Sequence, residues 1–567
     1  MDKRPGKKSW RMRILTGILI LFGCTLAMLT TGYAAQMIWI SPTGEMTDDA
    51  IKLMEIEKKL YFFLPGNIDL NDYKIGFDSL TLKINGTDVV QGETSASLLH
   101  TGKANTVVFG YKTGKNKKSV TAMQGSELPV MYITTESGGL REIHKKKENK
   151  EKGTMALYDT DGKTVFSGNL KHIKMRGNMS VYFTKKNYII KLESGANLLG
   201  MGKAKKWILL GNHLDKSLVR NQLNFDMARY AGLPYTPDCR QISLYINNEY
   251  MGTYLLTERV EIDDDRVDIR DLEKETEKMN EKPLESYPVT ERRDAARGTY
   301  KGYQIPNEPE DITGGYLIEF EHNSDHYGET PTAYYTRHKM FLAIHSPEYC
   351  SEKQIAYITG LMQSFENAIF SEDGRDPETG KHYSDIVDFD SLVNKYLINE
   401  VSRNYDANMS SEYFYKPDDS VSTKVFAGPV WDMDNTYGDY ARPDNKFVLN
   451  PSGMTASKGG YIDYWWPALY LQSDFYRAVV SRYHETFVPA MEILLGKREE
   501  TETLKSIDTY AAAIEKNAEM EFILYPGLKY KRNEVQTGKN LKENIKYLKD
   551  YITKRMQFLN ETWIAEE

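Results

Sequence analysis

Between residues 173 and 260 the chain reads IKMRGNMS (173–180), KKNYIIKLE (185–193), KWILLGN (206–212), DKSLVRNQLNFDMARYAGLP (215–234) and QISLYINNEYMGTYLLTERV (241–260). The first two are β-type runs joined by a loop containing Gly177, and KWILLGN is a short apolar run of the kind that forms a buried strand. In the fourth stretch Asp215 is a candidate N-cap. Leu218, Val219, Gln222, Leu223, Met227 and Tyr230 follow it at helical spacing, and Gly232 and Pro234 stop the helix. The last stretch alternates about Asn247-Asn248, a dipeptide that tolerates the left-handed conformation of a tight hairpin. The expected order is hairpin, strand, helix, hairpin, an α+β arrangement.

Upstream, YFFLP, YKIGF, LTLKI, NTVVFGY and KKSVTAM are short β runs separated by turn residues, so residues 36–127 read as a small β-sandwich-like module without chemistry of its own. KKKENKEK (145–152) reads as a solvated loop between strands. Residues 272–310, rich in Lys, Glu, Arg and Pro, have the composition of a long polar surface insertion, one compatible with disorder. GGYLIEFEHN (314–323) is a further strand, and residues 353–403 turn helical. In the last helix Leu541, Ile545, Leu548, Ile552, Met556 and Leu559 form a core stripe. The expected divisions are 1–35, 36–127, 128–450 and a helical 451–567.

The chain has 567 residues, with 73 Lys+Arg against 80 Asp+Glu for a net charge of −7, and is 40% hydrophobic. That excludes a wholly disordered or polytopic membrane protein and argues against a dedicated nucleic-acid binder. Three cysteines, Cys24, Cys239 and Cys350, exclude a disulfide scaffold; only Cys239 and Cys350 lie in the globular part, and their pairing is left open. Residues 1–13 are basic, and Ile14 to Ala35 carry no charge over about the length that spans a bilayer as a helix. The expectation is a membrane anchor through residues 14–35 with the bulk extracytoplasmic, or a secreted protein if the leader is cleaved near Ala34-Ala35.

The carboxylates between 406 and 439 are the sharpest chemical feature. Asp406 follows a helix. Val430-Trp431 reads as the end of a buried strand delivering Asp432 and Asp434, which point the same way if the strand continues through them. Two carboxylates on one side suit magnesium or manganese, and Asp406 could take a proton from an attacking hydroxyl. Arg176 and Lys191 are candidate cations for phosphates, with Lys185, Lys186, Lys205 and Lys206 as competitors. A capped turn or a structural calcium accounts for the same two aspartates. A glycosidase would pair Asp406 with Asp432, or Glu319 with Glu321, and stack a sugar on Tyr464, Trp465 or Trp466; an anchoring role for Trp465-Trp466-Pro467 competes with that. No Gly-x-Ser-x-Gly elbow, Walker loop or His-Glu-x-x-His is present.

KMRGNMS, KKNYIIKLE, LLGMGKAKKWILLGNHLDKSLVRNQLNFDMARYAGL, YINNEYMGTYLLTERVEI with RVDI, and GPVWDMDNTYG, in that order, resemble the CotH family of spore-coat-protein-H-like atypical protein kinases. LQSDFYRAVVSRYHETF and LKDYITKRMQFLNETW look like the family's C-terminal helices. The resemblance implies an α+β, divergent protein-kinase-like domain, here preceded by the small β-sandwich and followed by C-terminal helices. It also implies magnesium- or manganese-dependent transfer of phosphate from ATP to Ser or Thr hydroxyls of coat or envelope proteins. By similarity Asp406 is the catalytic-loop aspartate, Asp432 the metal-binding aspartate and Asp434 the second acid. Arg176 and Lys191 occupy well-marked family positions, and Glu258 pairs with a lysine or lies at the nucleotide edge. One departure stands out. A kinase-type catalytic loop has a metal-binding Asn five residues after its Asp; here that residue is Ser411, with Asn408 two along. Asn408 or Asp434 then substitutes, or one metal suffices, or the fold is kept without catalysis as a surface-assembly scaffold or adhesin. A carbohydrate-binding surface protein is the third reading.

Overall fold

The computed structural model describes residues 37–178, 180–294, 298–320, 330–441, 446–456, 464–526, 534–535 and 538–564. The expected membrane span at 14–35 lies outside them; among the described residues no helix is long and apolar enough to cross a membrane. Contacts divide the chain into two units, 63–68 joining the second with residues from 123 onward.

The first unit is built from strands β1 (Ile38–Ser41), β2 (Ile51–Lys52), β3 (Met54–Ile56), β4 (Lys59–Leu64), β5 (Lys74–Phe77), β6 (Thr81–Ile84), β7 (Thr87–Val89), β8 (Ala104–Tyr111) and β9 (Gly114–Gln124). They form two sheets, β2-β1-β5 and β3-β4-β9-β8-β6-β7. Alternation along the strands buries Ile75, Leu82, Ile84, Val107, Phe109 and Val120.

The second unit opens with a closed barrel of β10 (Val130–Thr135), β11 (Lys150–Tyr158), β12 (Thr164–Arg176), β13 (Asn187–Asn197), β14 (Lys203–Leu210), β15 (Cys239–Ile246) and β16 (Glu249–Glu258), in the order β10-β11-β12-β13-β14-β16-β15. Parallel pairing of β10 with β15 closes it. Ile173, Tyr188, Ile190, Trp207, Leu209, Tyr254 and Leu256 fill the interior. The alternate residues Ile208, Leu210 and Leu255 pack outward into a second, larger core. WILL (207–210) is therefore apolar throughout because this end of β14 is buried on both faces. The β15–β16 hairpin turns on Asn247 and Asn248, with φ of 52° and 70°. KKKENKEK is only half a loop, since its last three residues begin β11.

Helix α1 (Arg220–Tyr230) connects β14 to β15. It starts five residues later than Asp215, because Leu218 takes a left-handed turn (φ 63°). Asp215 still caps it from a distance, its carboxylate accepting the Arg220 N–H at 2.9 Å and the Ser217 N–H at 2.8 Å.

The 272–310 stretch carries regular structure in its described residues. It supplies α2 (Leu272–Lys278), capped by Asp271, and strands β17 (Val289–Asp294) and β18 (Gly298–Tyr303). Its sparse apolar residues Leu284, Tyr303 and Ile305 are buried together, and Leu272 enters the larger core. β19 (Tyr316–Phe320), β20 (Ala333–Tyr335), β21 (Phe341–Ser346), β22 (Glu412–Lys416) and β23 (Phe426–Ala427) complete a seven-stranded sheet, β17-β18-β20-β21-β19-β22-β23. Helices α3 (Glu352–Ile369) and α4 (Phe389–Ser402) precede the site. The chain ends in α5 (Trp465–Tyr470), α6 (Ser473–Arg482), α7 (Val488–Leu494), α8 (Ile507–Leu524) and α9 (Leu541–Thr562). The apolar stripe of α9 is buried except for Met556, which is half-buried, and the buried face is widened by Tyr551 and Arg555. Cys239 and Cys350 are buried and free. The architecture is thus mixed α/β, with N-terminal sheets, a barrel and C-terminal helices.

Candidate functional site

The turn carrying Asp432 and Asp434 is not a strand, so alternation does not orient the two carboxylates. Asp432 is left-handed (φ 57°), a conformation unusual outside glycine and least costly for Asp and Asn. Helix α1 imposes it. Asn221 accepts the Met433 N–H at 2.8 Å, Asn224 donates to Thr436 Oγ1 at 3.1 Å and accepts from the Tyr437 hydroxyl at 3.0 Å, and Arg220 Nε donates to the Thr436 carbonyl at 3.0 Å. Phe225 stacks on Trp431, centroids 5.9 Å apart. The polar residues of VRNQLN are thus the mould of the acidic turn. The signal was there, as Asn and Arg at helix positions that are fully buried.

Arg176, at the end of β12, lays its guanidinium over the Trp431 ring, 5.0 Å from the centroid. This brings it to Asp432, although 256 positions separate them in the chain. Asp432 is open to solvent and Asp434 half-buried, yet dense protein around both carboxylates leaves them poorly hydrated. Burial and the Glu319 charge raise the Asp432 pKa against the pull of Arg176. Burial, then Asp432, Asp439, Asp215 and Asp406, push Asp434 well above the usual carboxylate range. The site is a recess with more negative charge than its own cations offset.

Asp406 heads a tight turn after α4, its carbonyl accepting the Met409 and Ser410 N–H groups at 2.7 and 3.1 Å. Asn435, next to Asp434, reaches Asp406 Oδ2 at 3.5 Å. Asn408 donates to the Ala456 carbonyl at 2.8 Å, which leaves its Oδ1 buried with no partner among the described residues. Ser411, the fifth residue after Asp406, donates to Asp432 Oδ2 at 3.3 Å. Among the described residues no three His, Cys, Asp or Glu side chains form a metal cage. The oxygen donors present suit an ion that keeps water and substrate oxygens in its shell, which is the habit of magnesium. A carboxylate held far above its ordinary pKa is what such an ion would relieve.

Other candidates fall elsewhere. Glu258 pairs with Arg266 at 2.6 Å and accepts the Asp238 N–H at 2.8 Å. It lies opposite Trp207, on the sheet face away from Arg176 and Lys191, and burial lifts its pKa to about 7. Lys185 is fully buried against Glu521 at 2.7 Å and is no surface cation; burial brings it down to about 8. Lys186 donates to the Val181 carbonyl, Lys206 pairs with Glu261 at 2.8 Å and Lys205 is exposed. Lys191 makes no ion pair among the described residues and faces Lys206 across the β13–β14 ladder. Trp465 and Trp466 are buried, donating to Glu366 at 3.0 Å and to the Ala407 carbonyl at 2.8 Å, so neither offers a ring to a sugar. Glu321 lies outside the described residues. Glu319 is buried, bonded by the Tyr413 hydroxyl at 2.8 Å and by His345. A lone acid inside the apolar run YLIEF was the signal for it.

The sequence model of the family described as CotH kinase protein matches residues 173–559. The chain belongs to the CotH kinase family. A search of curated proteins finds no match. The CotH match begins on β12, in the strand that carries Arg176, and ends within α9, so the N-terminal sheets lie outside it while the acidic turn, the Asp406 loop and the C-terminal helices lie within.

Proposed function

We propose that this CotH protein is an exported, kinase-like phosphotransferase that moves the γ-phosphate of ATP to Ser or Thr hydroxyls of coat or envelope proteins. The observation that carries the reading is the convergence of Asp432, Asp434 and Asp406 with Arg176 in one solvent-open recess. The order of hairpin, strand, helix and hairpin ahead of it, shared with kinase small lobes, supports it. Asp432, Asp434 and Asn408 Oδ1 are the groups that would hold magnesium or manganese. When bound, that ion offsets negative charge on the phosphates. Asp406 accepts the proton of the acceptor hydroxyl as its oxygen bonds to phosphorus and the bond to the ADP oxygen breaks. Arg176, fixed by Trp431, presents a guanidinium to the phosphates, with Lys191 on the same face of the barrel.

The test is transfer of label from γ-labelled ATP with magnesium or manganese by the full chain, with Asp406→Ala and Asp432→Ala alongside. Label on the chain or on added Ser-rich peptide, lost in both variants, is expected. No label and no metal-dependent nucleotide binding would overturn the enzyme reading in favour of a surface scaffold.

A further inference from the structure

Outward from Arg176 the barrel surface carries cations set against one another. On β12, Lys174 shares a face with Arg176. Lys150 on β11 stands directly opposite Lys174, and Lys191 on β13 stands opposite both His172 on β12 and Lys206 on β14. Like charges directly opposite across strands are destabilising. Even so, Lys150, Lys171, Lys174 and Lys191 make no ion pair among the described residues, and Glu261 is shared between Lys206 and Arg259. The crowding registers in the groups themselves. Burial and neighbouring cations lower Lys174 and Lys191, and bring His172 down to about 4. Glu148 and Glu261 are the acids that partly oppose this field. In a chain of net charge −7, such a row is retained at a cost in stability.

The row crosses four adjacent strands, about 14 Å at the usual strand spacing. It holds more charge than the tail of one nucleotide answers. It starts beside the carboxylate recess, and several of its members are half-buried beside Ile189, a shape that takes an extended chain better than a flat membrane surface. Resting on the phosphotransfer reading, we propose that this face docks the acceptor and that the acceptor is an acidic peptide segment, with Asp, Glu or phosphoserine clustered beside its Ser or Thr.

The test is binding to the full chain without nucleotide, by fluorescence anisotropy, of labelled Ser-containing peptides that are Glu-rich, phosphoserine-rich, neutral or Lys-rich. The two acidic arms distinguish carboxylate from phosphate as the charge source. Acidic peptides should bind, more weakly as salt rises, and K174E/K191E should weaken them at least about tenfold. K150Q/K171Q, at exposed positions that cannot unfold the barrel, should weaken them several-fold. Binding indifferent to peptide charge, binding unchanged in both variants, or selective capture of anionic vesicles in place of peptides would overturn the proposal. Because no nucleotide is used, a chain that transfers no phosphate can still pass. Efficient transfer to neutral peptides with no acidic binding would leave the kinase standing and remove the docking face.

Discussion

Replacing Arg555 by methionine should cost about 3–5 kcal/mol of stability, the penalty for stranding a buried charge. Arg555 is fully buried on α9. Its guanidinium donates to the Glu400 carboxylate at 2.7 Å, to the Glu400 carbonyl at 2.6 Å, and to the Pro451 and Gly453 carbonyls at 3.0 and 2.6 Å. Methionine keeps most of the volume but removes the guanidinium from the Glu400 carboxylate, which is left to neutral donors such as the Thr455 N–H at 2.7 Å and the Tyr396 hydroxyl at 3.4 Å. Against a whole-domain stability of roughly 5–15 kcal/mol this is a large fraction. The assay is urea unfolding followed by tryptophan fluorescence, since Trp465, Trp466 and Trp563 are buried in this core. Neutralising the stranded acid should restore stability. Glu400→Gln on the Arg555→Met background is expected to recover about 2 kcal/mol, a coupling far above that of independent sites. Phosphate transfer should fall with stability, because Arg403, three residues before Asp406, holds the same 450–452 segment through its carbonyls. An Arg555→Met cost below about 1 kcal/mol, or a double variant equal to the sum of its parts, would refute the reasoning.

Lys191→Glu should stabilise the fold by about 0.5 kcal/mol at low salt, by turning the cross-strand repulsion with Lys206 into an attraction, with the gain shrinking in high-salt thermal melts. His213 is buried beside Phe183, and burial with Lys216, Lys185 and Lys186 brings its pKa down to about 3. The unfolded chain therefore binds more protons below its ordinary value of about 6.5. Stability should fall as pH drops from 6.5 toward 3, by up to about 1.4 kcal/mol per unit, and His213→Phe should flatten that slope in urea titrations. Asn224→Ala removes the partner of the Tyr437 hydroxyl and slackens the acidic turn; a loss of about 1–3 kcal/mol and weaker metal-dependent nucleotide binding are expected by calorimetry. Magnesium at ten times its Kd should stabilise the wild type by about 1.4 kcal/mol, and Asp432→Ala not at all, in thermal shift.

Read alone, the sequence determined what neighbouring residues decide. The hairpin about Asn247-Asn248, the buried run WILL, the C-terminal stop of α1 and the stripe of α9 follow from local sterics and periodicity, which act within a few residues. The acidic positions of the site were legible too, because Asp406, Asp432 and Asp434 sit in short motifs. Only the tertiary structure decided how those acids stand. Asp432 is left-handed because Asn221 and Asn224, more than 200 positions earlier, grip its turn. Lys185, Trp465 and Trp466 are scaffold because distant helices and loops bury them. The described residues of 272–310 take regular structure because their few apolar side chains find a surface to cover, which composition cannot register. The cationic row is likewise a product of strand register, since His172, Lys191 and Lys206 become neighbours only when three strands align. Burial, charge pairing and register are properties of contacts between distant segments, and no short window of residues contains them.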